Sequence, residues 1–173
     1  MRIIEWEDKV MILKRKIYDK LLKWKQETNG EKAILIEGAR RIGKSTIAQE
    51  FAKNEYDSYI LIDFAKKDKE VELYFEKFLN DMNTLFMMLQ AHFGVQLQKR
   101  KSVIIFDEVQ MFPQARAAIK YLVADGRYDY IETGSLISIK ENVKNIVIPS
   151  EERHISMYPL DFEEFCDALN EKV

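Results

Sequence analysis

Residues Gly38 to Ser45 read GARRIGKS: a glycine, four unrestricted positions, then Gly43, Lys44 and Ser45. The spacing G-x-x-x-x-G-K-[ST] suits one task, the wrapping of a polyphosphate by backbone N–H groups that point inward. Gly43 stands where a side chain would obstruct close approach of the backbone to phosphate. Lys44 brings a mobile positive charge to the β- and γ-phosphates of a bound nucleotide, and the Ser45 hydroxyl suits a Mg²⁺ ion bound with them. A helix opening at Lys44 and Ser45 would add unpaired N–H donors and the positive end of its dipole. Arg41, Ile42 and Thr46 complete the nucleotide-binding stretch, with Gly38 opening it. Ile42 and Thr46 contribute mainly backbone, while a solvated loop surface is the ordinary role of Arg40 and Arg41. The competing reading is a chance glycine-rich turn. It loses ground because an apolar run, ILIE, precedes the loop and an amphipathic run, STIAQEFAK, follows it.

A second stretch, VIIFDE, ends a buried run on Asp107 and Glu108. Asp107 is placed to hold the Mg²⁺, through water or through Ser45. Mg²⁺ keeps several waters and takes few protein carboxylates, so one Asp and one hydroxyl suffice. Glu108 is placed to orient or deprotonate an attacking water. An acidic pair at a strand end is otherwise a solvated turn, a reading weakened by the phosphate loop upstream.

Three reaction classes use such a loop. A GTP switch calls for an N-K-x-D guanine reader, which the chain lacks, and Asp107 is followed by Glu108-Val109-Gln110 rather than by D-x-x-G. Small-molecule kinases generally lack an acid directly after the magnesium aspartate. Elimination leaves an ATPase with a catalytic glutamate and a strand inserted between the two phosphate-site strands. The inserted strand is YDYIETGS, whose Thr133 and Ser135 would set a hydroxyl between the carboxylates and the γ-phosphate. A plain turn built on Gly134 is the alternative.

These residues need elements to carry them. Apolar Val10, Leu13, Ile17, Leu21 and Trp24 recur at helical spacing, which predicts a helix over Lys9 to Gln26, stopped by Asn29-Gly30. Strands are predicted at Ala33–Glu37, Ser58–Phe64, Ser102–Glu108, across YDYIETGS and across RHISMYPL. Lys66 to Phe93 should form two helices broken near Asn80 to Thr84. QARAAIKYLVAD should form another, opened by Pro113 and closed by Gly126. DFEEFCDAL is the last, with Asp161 as N-cap and Glu164 as its capping-box partner. Strands this apolar, alternating with helices, argue for an α/β fold: a parallel sheet with helices on both faces. Ligands bind such sheets beyond the carboxyl ends of the strands, where both candidate stretches fall.

Composition narrows the setting. The chain has 173 residues, 47% of them hydrophobic, enough for a domain with a real core. A net charge of −2 gives no overall pull toward nucleic acid or membrane. One cysteine, Cys166, and two histidines, His92 and His154, leave no internal disulfide and disfavour a structural zinc site. A reducing cytoplasm is the expected compartment. No apolar stretch approaches a membrane span, and the acidic turn early in MRIIEWEDKV argues against a secretory signal.

The segments IEGARRIGKST, IIFDEVQMFPQARAAIKYL, IETGSLIS and MYPLDFEEF together resemble a bacterial and archaeal family of AAA-like P-loop ATPases. Its members carry a P-loop core followed by a C-terminal domain of unknown function. The similarity runs from about Arg15 to Leu169, and its most specific parts are D-E-[IV]-Q and the tail Tyr158-Pro159-Leu160 with Phe162-Glu163-Glu164-Phe165. The resemblance implies a P-loop NTPase sheet of strand order 5-1-4-3-2 and ATP-dependent work on a macromolecule. It also implies an arginine just ahead of the last strand that reaches a neighbouring copy's nucleotide, here Arg153, although Glu152 stands where the family more often has glycine. A surface ion pair is the other reading of Arg153. The chain stops one helix after the fifth strand, so a complete lid is not expected in it; a fragment of a longer protein and a degenerate member both fit. The expected organisation is an N-terminal helical arm, residues 1–32, and an ATPase core, residues 33–173.

Between Lys9 and Lys25 lie seven Lys or Arg and one acid, Asp19. Contact with nucleic-acid phosphates is one reading; the solvated side of a core helix is the favoured one. Two functions therefore stand. One is a Mg²⁺-dependent ATPase coupled to a partner domain or macromolecule, as a possible homo-oligomer. The other is an ATP-gated binding module that hydrolyses little.

Overall fold

Beta-branched and apolar residues form five strands in the structure, a computed structural model that describes residues 15–135 and 151–168. The strands are β1 (Ala33–Gly38), β2 (Ser58–Asp63), β3 (Ser102–Asp107), β4 (Asp129–Ser135) and β5 (Glu152–Met157). All neighbouring strands run parallel, in the order β2-β3-β4-β1-β5. This is the order 5-1-4-3-2 that the resemblance implied, and β4 does lie between β1 and β3. Among the described residues no helix is long and apolar enough to cross a membrane.

Side chains alternate across the sheet, so each face has its own core. Ile34, Ile36, Val103, Ile105 and Ile131 face α1 (Lys16–Thr28) and α2 (Lys44–Glu55). Leu35, Ile104, Phe106 and Tyr130 face α3 (Lys69–Phe78), α4 (Met82–Phe93) and α5 (Pro113–Asp125). A final helix, α6 (Phe162–Ala168), follows β5.

The predicted helix boundaries hold closely for most elements. The α3–α4 break falls before Met82, where Asp81 accepts from the Thr84 N–H at 3.2 Å and caps the second helix. In α5, Pro113 occupies the first turn and Gly126 closes the helix at φ 73°. The capping box of α6 is complete: Glu164 N–H donates to Asp161 Oδ1 at 2.9 Å, and Asp161 N–H donates to Glu164 Oε2 at 3.1 Å.

The helix predicted from Lys9 needs correction. It begins at Lys16, because Arg15 is extended at φ −117° and ψ 131°. Glu164 Oε1 accepts both the Lys16 N–H, at 2.8 Å, and Arg15 Nε, at 3.2 Å, which turns the chain at that point. The earlier part of that prediction, Lys9 to Lys14, lies outside the described residues. Of the buried stripe, Ile17, Leu21 and Trp24 pack on α2 and the sheet as expected.

Candidate functional site

The carboxyl ends of β1, β3 and β4 meet where α2 begins. In register, Gly38 pairs with Ser135 and with Met157, while Asp107 pairs with Asp63. Between β1 and the first turn of α2 runs the loop of Ala39 to Gly43. Gly43 takes φ +92°, a conformation that favours glycine. Gly38 is constrained differently. A Cβ there would meet the Met157 carbonyl oxygen at 2.3 Å, so its small size is required by the fit of β1 against β5.

Lys44, Ser45, Thr46, Gly43, Arg41 and Glu108 line a hollow of about 270 Å³. Lys44 is buried and folds back on the loop, donating to the Ala39 carbonyl at 2.6 Å and the Gly38 carbonyl at 3.3 Å. Burial lowers its pKa, against the opposing pull of the Glu108 and Asp107 charges. Its charge is thus parked on carbonyls that a phosphate could replace.

Ser45 Oγ, in the first turn of α2, donates to Asp107 Oδ1 at the end of β3 at 2.6 Å. Thr133, two residues before the end of β4, joins them: its hydroxyl donates to the same Oδ1 and accepts the Glu108 N–H at 3.2 Å. Glu108 adopts φ 53°, an uncommon backbone state for a residue with a side chain. Gln110, itself buried, donates its amide N–H to Glu108 Oε2.

The sequence therefore anticipates the grouping of Lys44, Ser45, Asp107, Glu108 and Thr133. Ser135 is buried at the end of β4 opposite Gly38, so Thr133 supplies the hydroxyl beside Asp107. Arg153 is not brought to this cluster. It lies within β5 rather than ahead of it, in register with Ile34 near the strand's opposite end, and donates to Glu27 Oε2 at 2.8 Å. Metal chemistry is sparse in a telling way. Among the described residues no three His, Cys, Asp or Glu side chains gather as a metal cage. One hydroxyl and one carboxylate 2.6 Å apart fit a Mg²⁺ that takes its other oxygens from phosphate and water.

Two features escaped the sequence reading. Arg15, counted there among basic-arm residues, donates from Nη1 to the Ile42 carbonyl in the loop at 3.1 Å. The sequence places it inside the helix predicted over Lys9 to Gln26, as one of seven basic residues, and nothing there singles it out. A buried polar group lies on the α5 face of the sheet. Arg116 Nη2 donates to Glu152 Oε2 at 2.8 Å, and both side chains are almost fully buried. The fully buried Glu132 carboxyl neighbours Glu152; burial first, then that neighbour, pushes its pKa well up, so Glu132 keeps its proton. Glu152 is therefore the counter-ion of Arg116.

Comparison with known proteins gives a family match and no curated relative. Among solved structures, Caenorhabditis elegans PCH-2 is similar at 11% identity and a TM-score of 0.47, over 86% of this chain and 43% of that one. The chain thus spans less than half the length of that protein. A family model described as an AAA domain matches residues 30–166, from the end of α1 into α6. On that match, which covers most of its length, the chain belongs to the AAA-domain family of P-loop, ATPase-like proteins.

Proposed function

We propose that the chain binds Mg-ATP in the hollow between Gly43 and Glu108 and hydrolyses it, driving work on a partner domain or macromolecule. The observation that carries this reading is the cluster at the strand ends, where Ser45 and Thr133 both donate to Asp107 Oδ1 and Glu108 lines the hollow of the phosphate loop. Loop amides and Lys44 would hold the polyphosphate; Ser45 and Asp107 would hold Mg²⁺, which would supply positive charge against the phosphates. Glu108 takes the proton of a water aligned on the γ-phosphate. Thr133 keeps Asp107 and the Glu108 backbone in fixed relation while phosphate comes and goes. A homo-oligomer, in which a neighbour completes the site, fits the same reading, and so does a cytoplasmic setting for the free, buried Cys166.

One observation favours the second reading, an ATP-gated binding module. The Glu108 carboxylate is already engaged by Gln110, which holds it as a resting acceptor rather than a free base. Phosphate release with Mg-ATP separates the two. For an ATPase, Glu108→Gln should retain ATP binding and slow release by roughly 10²–10⁴-fold, and Lys44→Ala should weaken binding itself. Equal release by the native chain and Lys44→Ala would end the hydrolytic reading.

A further inference from the structure

Arg15 touches three elements that are distant in sequence. Nε donates to Glu164 Oε1 of α6 at 3.2 Å, Nη2 to the Tyr158 carbonyl just past β5 at 2.7 Å, and Nη1 to the Ile42 carbonyl at 3.1 Å. Its side chain is only 10% exposed. A guanidinium offers its N–H groups in a rigid planar fork, so three acceptors fix its plane and it fixes theirs. The backing is firm as well, because Glu164 also accepts the Lys16 and Asp161 N–H groups.

The contact with Ile42 bears on the nucleotide site through the peptide that follows it. A trans peptide points its C=O and N–H in opposite directions. Holding the Ile42 carbonyl on the Arg15 side therefore turns the Gly43 N–H to the other side of the loop. Gly43 lines the hollow there, and at φ +92° its backbone has been committed to one uncommon state. A Cβ on Gly43 would lie 3.9 Å from Arg15 Nη1, so the guanidinium rests directly alongside.

We propose that Arg15 is a positioning residue of the phosphate site: through the Ile42 carbonyl it sets the Ile42–Gly43 peptide so that the loop amide is aimed at polyphosphate before any ligand arrives. This rests on the nucleotide-binding reading. It assigns Arg15 no contact with the nucleotide itself; the gain is preorganisation, since a loop already set loses less freedom on binding. Charge alone does not do this work. A lysine at position 15 keeps the positive charge but cannot span three acceptors on three elements.

Tripolyphosphate with Mg²⁺ is a suitable probe, because it reports on the loop without a base. Its affinity is measured for the native chain, Arg15→Lys, Arg15→Gln and Lys44→Ala, below the ligand-free melting temperature of each. The expected result is a loss of about ten- to a hundredfold in both Arg15 variants, the scale of a lost hydrogen bond to a charged group. If Arg15→Gln fails to fold, Arg15→Lys alone decides. Native binding by Arg15→Lys with weak binding by Arg15→Gln would overturn the inference in favour of through-space charge. Native binding by both, with loss only in Lys44→Ala, would overturn it and leave the phosphate site standing. No binding by the native chain beyond Lys44→Ala would overturn the site and this inference together.

Discussion

Thr133 holds the two acids together with one oxygen, which makes it a sharp place to cut. Thr133→Val keeps the shape and removes both the donor to Asp107 and the acceptor of the Glu108 N–H. The expected cost is about 1–3 kcal/mol of stability, read from denaturant melts, because a polar group near the interior loses its partner. Phosphate release should fall more than ATP affinity, since the loop amides and Lys44 are untouched. At this scale the sequence was informative wherever chemistry is carried by a motif. Lys44, Ser45, Asp107 and Glu108 announce themselves by type and spacing. Thr133 was named with Ser135 as one of two hydroxyls, and only the strand register separates them. Arg15 stayed hidden because its partner in the loop is a backbone carbonyl, which leaves no mark in composition, while Gln110 stands in the D-E-[IV]-Q stretch without its contact to Glu108 being legible there.

The two glycines of the loop do different jobs, and substitution should separate them. Gly38→Ala drives a methyl group against the Met157 carbonyl, part of the backbone of β5, which cannot rotate aside. Its cost should reach or exceed the ~1–3 kcal/mol of ordinary overpacking, and thermal melting would show it without any ligand. Gly43→Ala meets only ordinary contacts, at 3.8 Å and 3.9 Å, so its cost is the backbone strain of about 1–2 kcal/mol. Nucleotide affinity should suffer more in Gly43→Ala than its modest loss of stability suggests; calorimetric titration checks this. Elements were the most legible level. The apolar runs gave β3 and α5 almost to the residue, since burial on two faces writes itself into every position of a strand. The start of α1 was not legible. The amphipathic stripe continues toward Lys9, and what ends the helix at Lys16 is Glu164, 148 residues further along the chain.

Across the whole molecule, the proton on Glu132 should shape the response to pH. The folded chain keeps that proton, whereas an unfolded glutamate releases it above its ordinary pKa of 4.5. Between that value and the raised one the native state binds more protons than the unfolded state, so stability falls as pH rises, by up to about 1.4 kcal/mol per pH unit. The opposite shift at Glu152, held low against burial by the Glu132 hydrogen bond and by Arg116, contributes stability that disappears on acidification instead. Glu132→Gln retains an N–H for Glu152 and removes the proton linkage. Urea melts at about pH 5.5 and 8.5 should show a flatter profile for the variant, with its advantage at the alkaline end. The sheet order has a consequence for synthesis. β1 lies between β4 and β5, so the segment holding the phosphate loop emerges well before both of its neighbours. Until the ribosome passes Asp129, the Ile34-Leu35-Ile36 run has no strand to pair with on either edge, and such long-range pairing is slow to form. A nascent chain stalled before that residue would present the buried Ile34-Leu35-Ile36 run bare, as a ready target for chaperones or for its own kind.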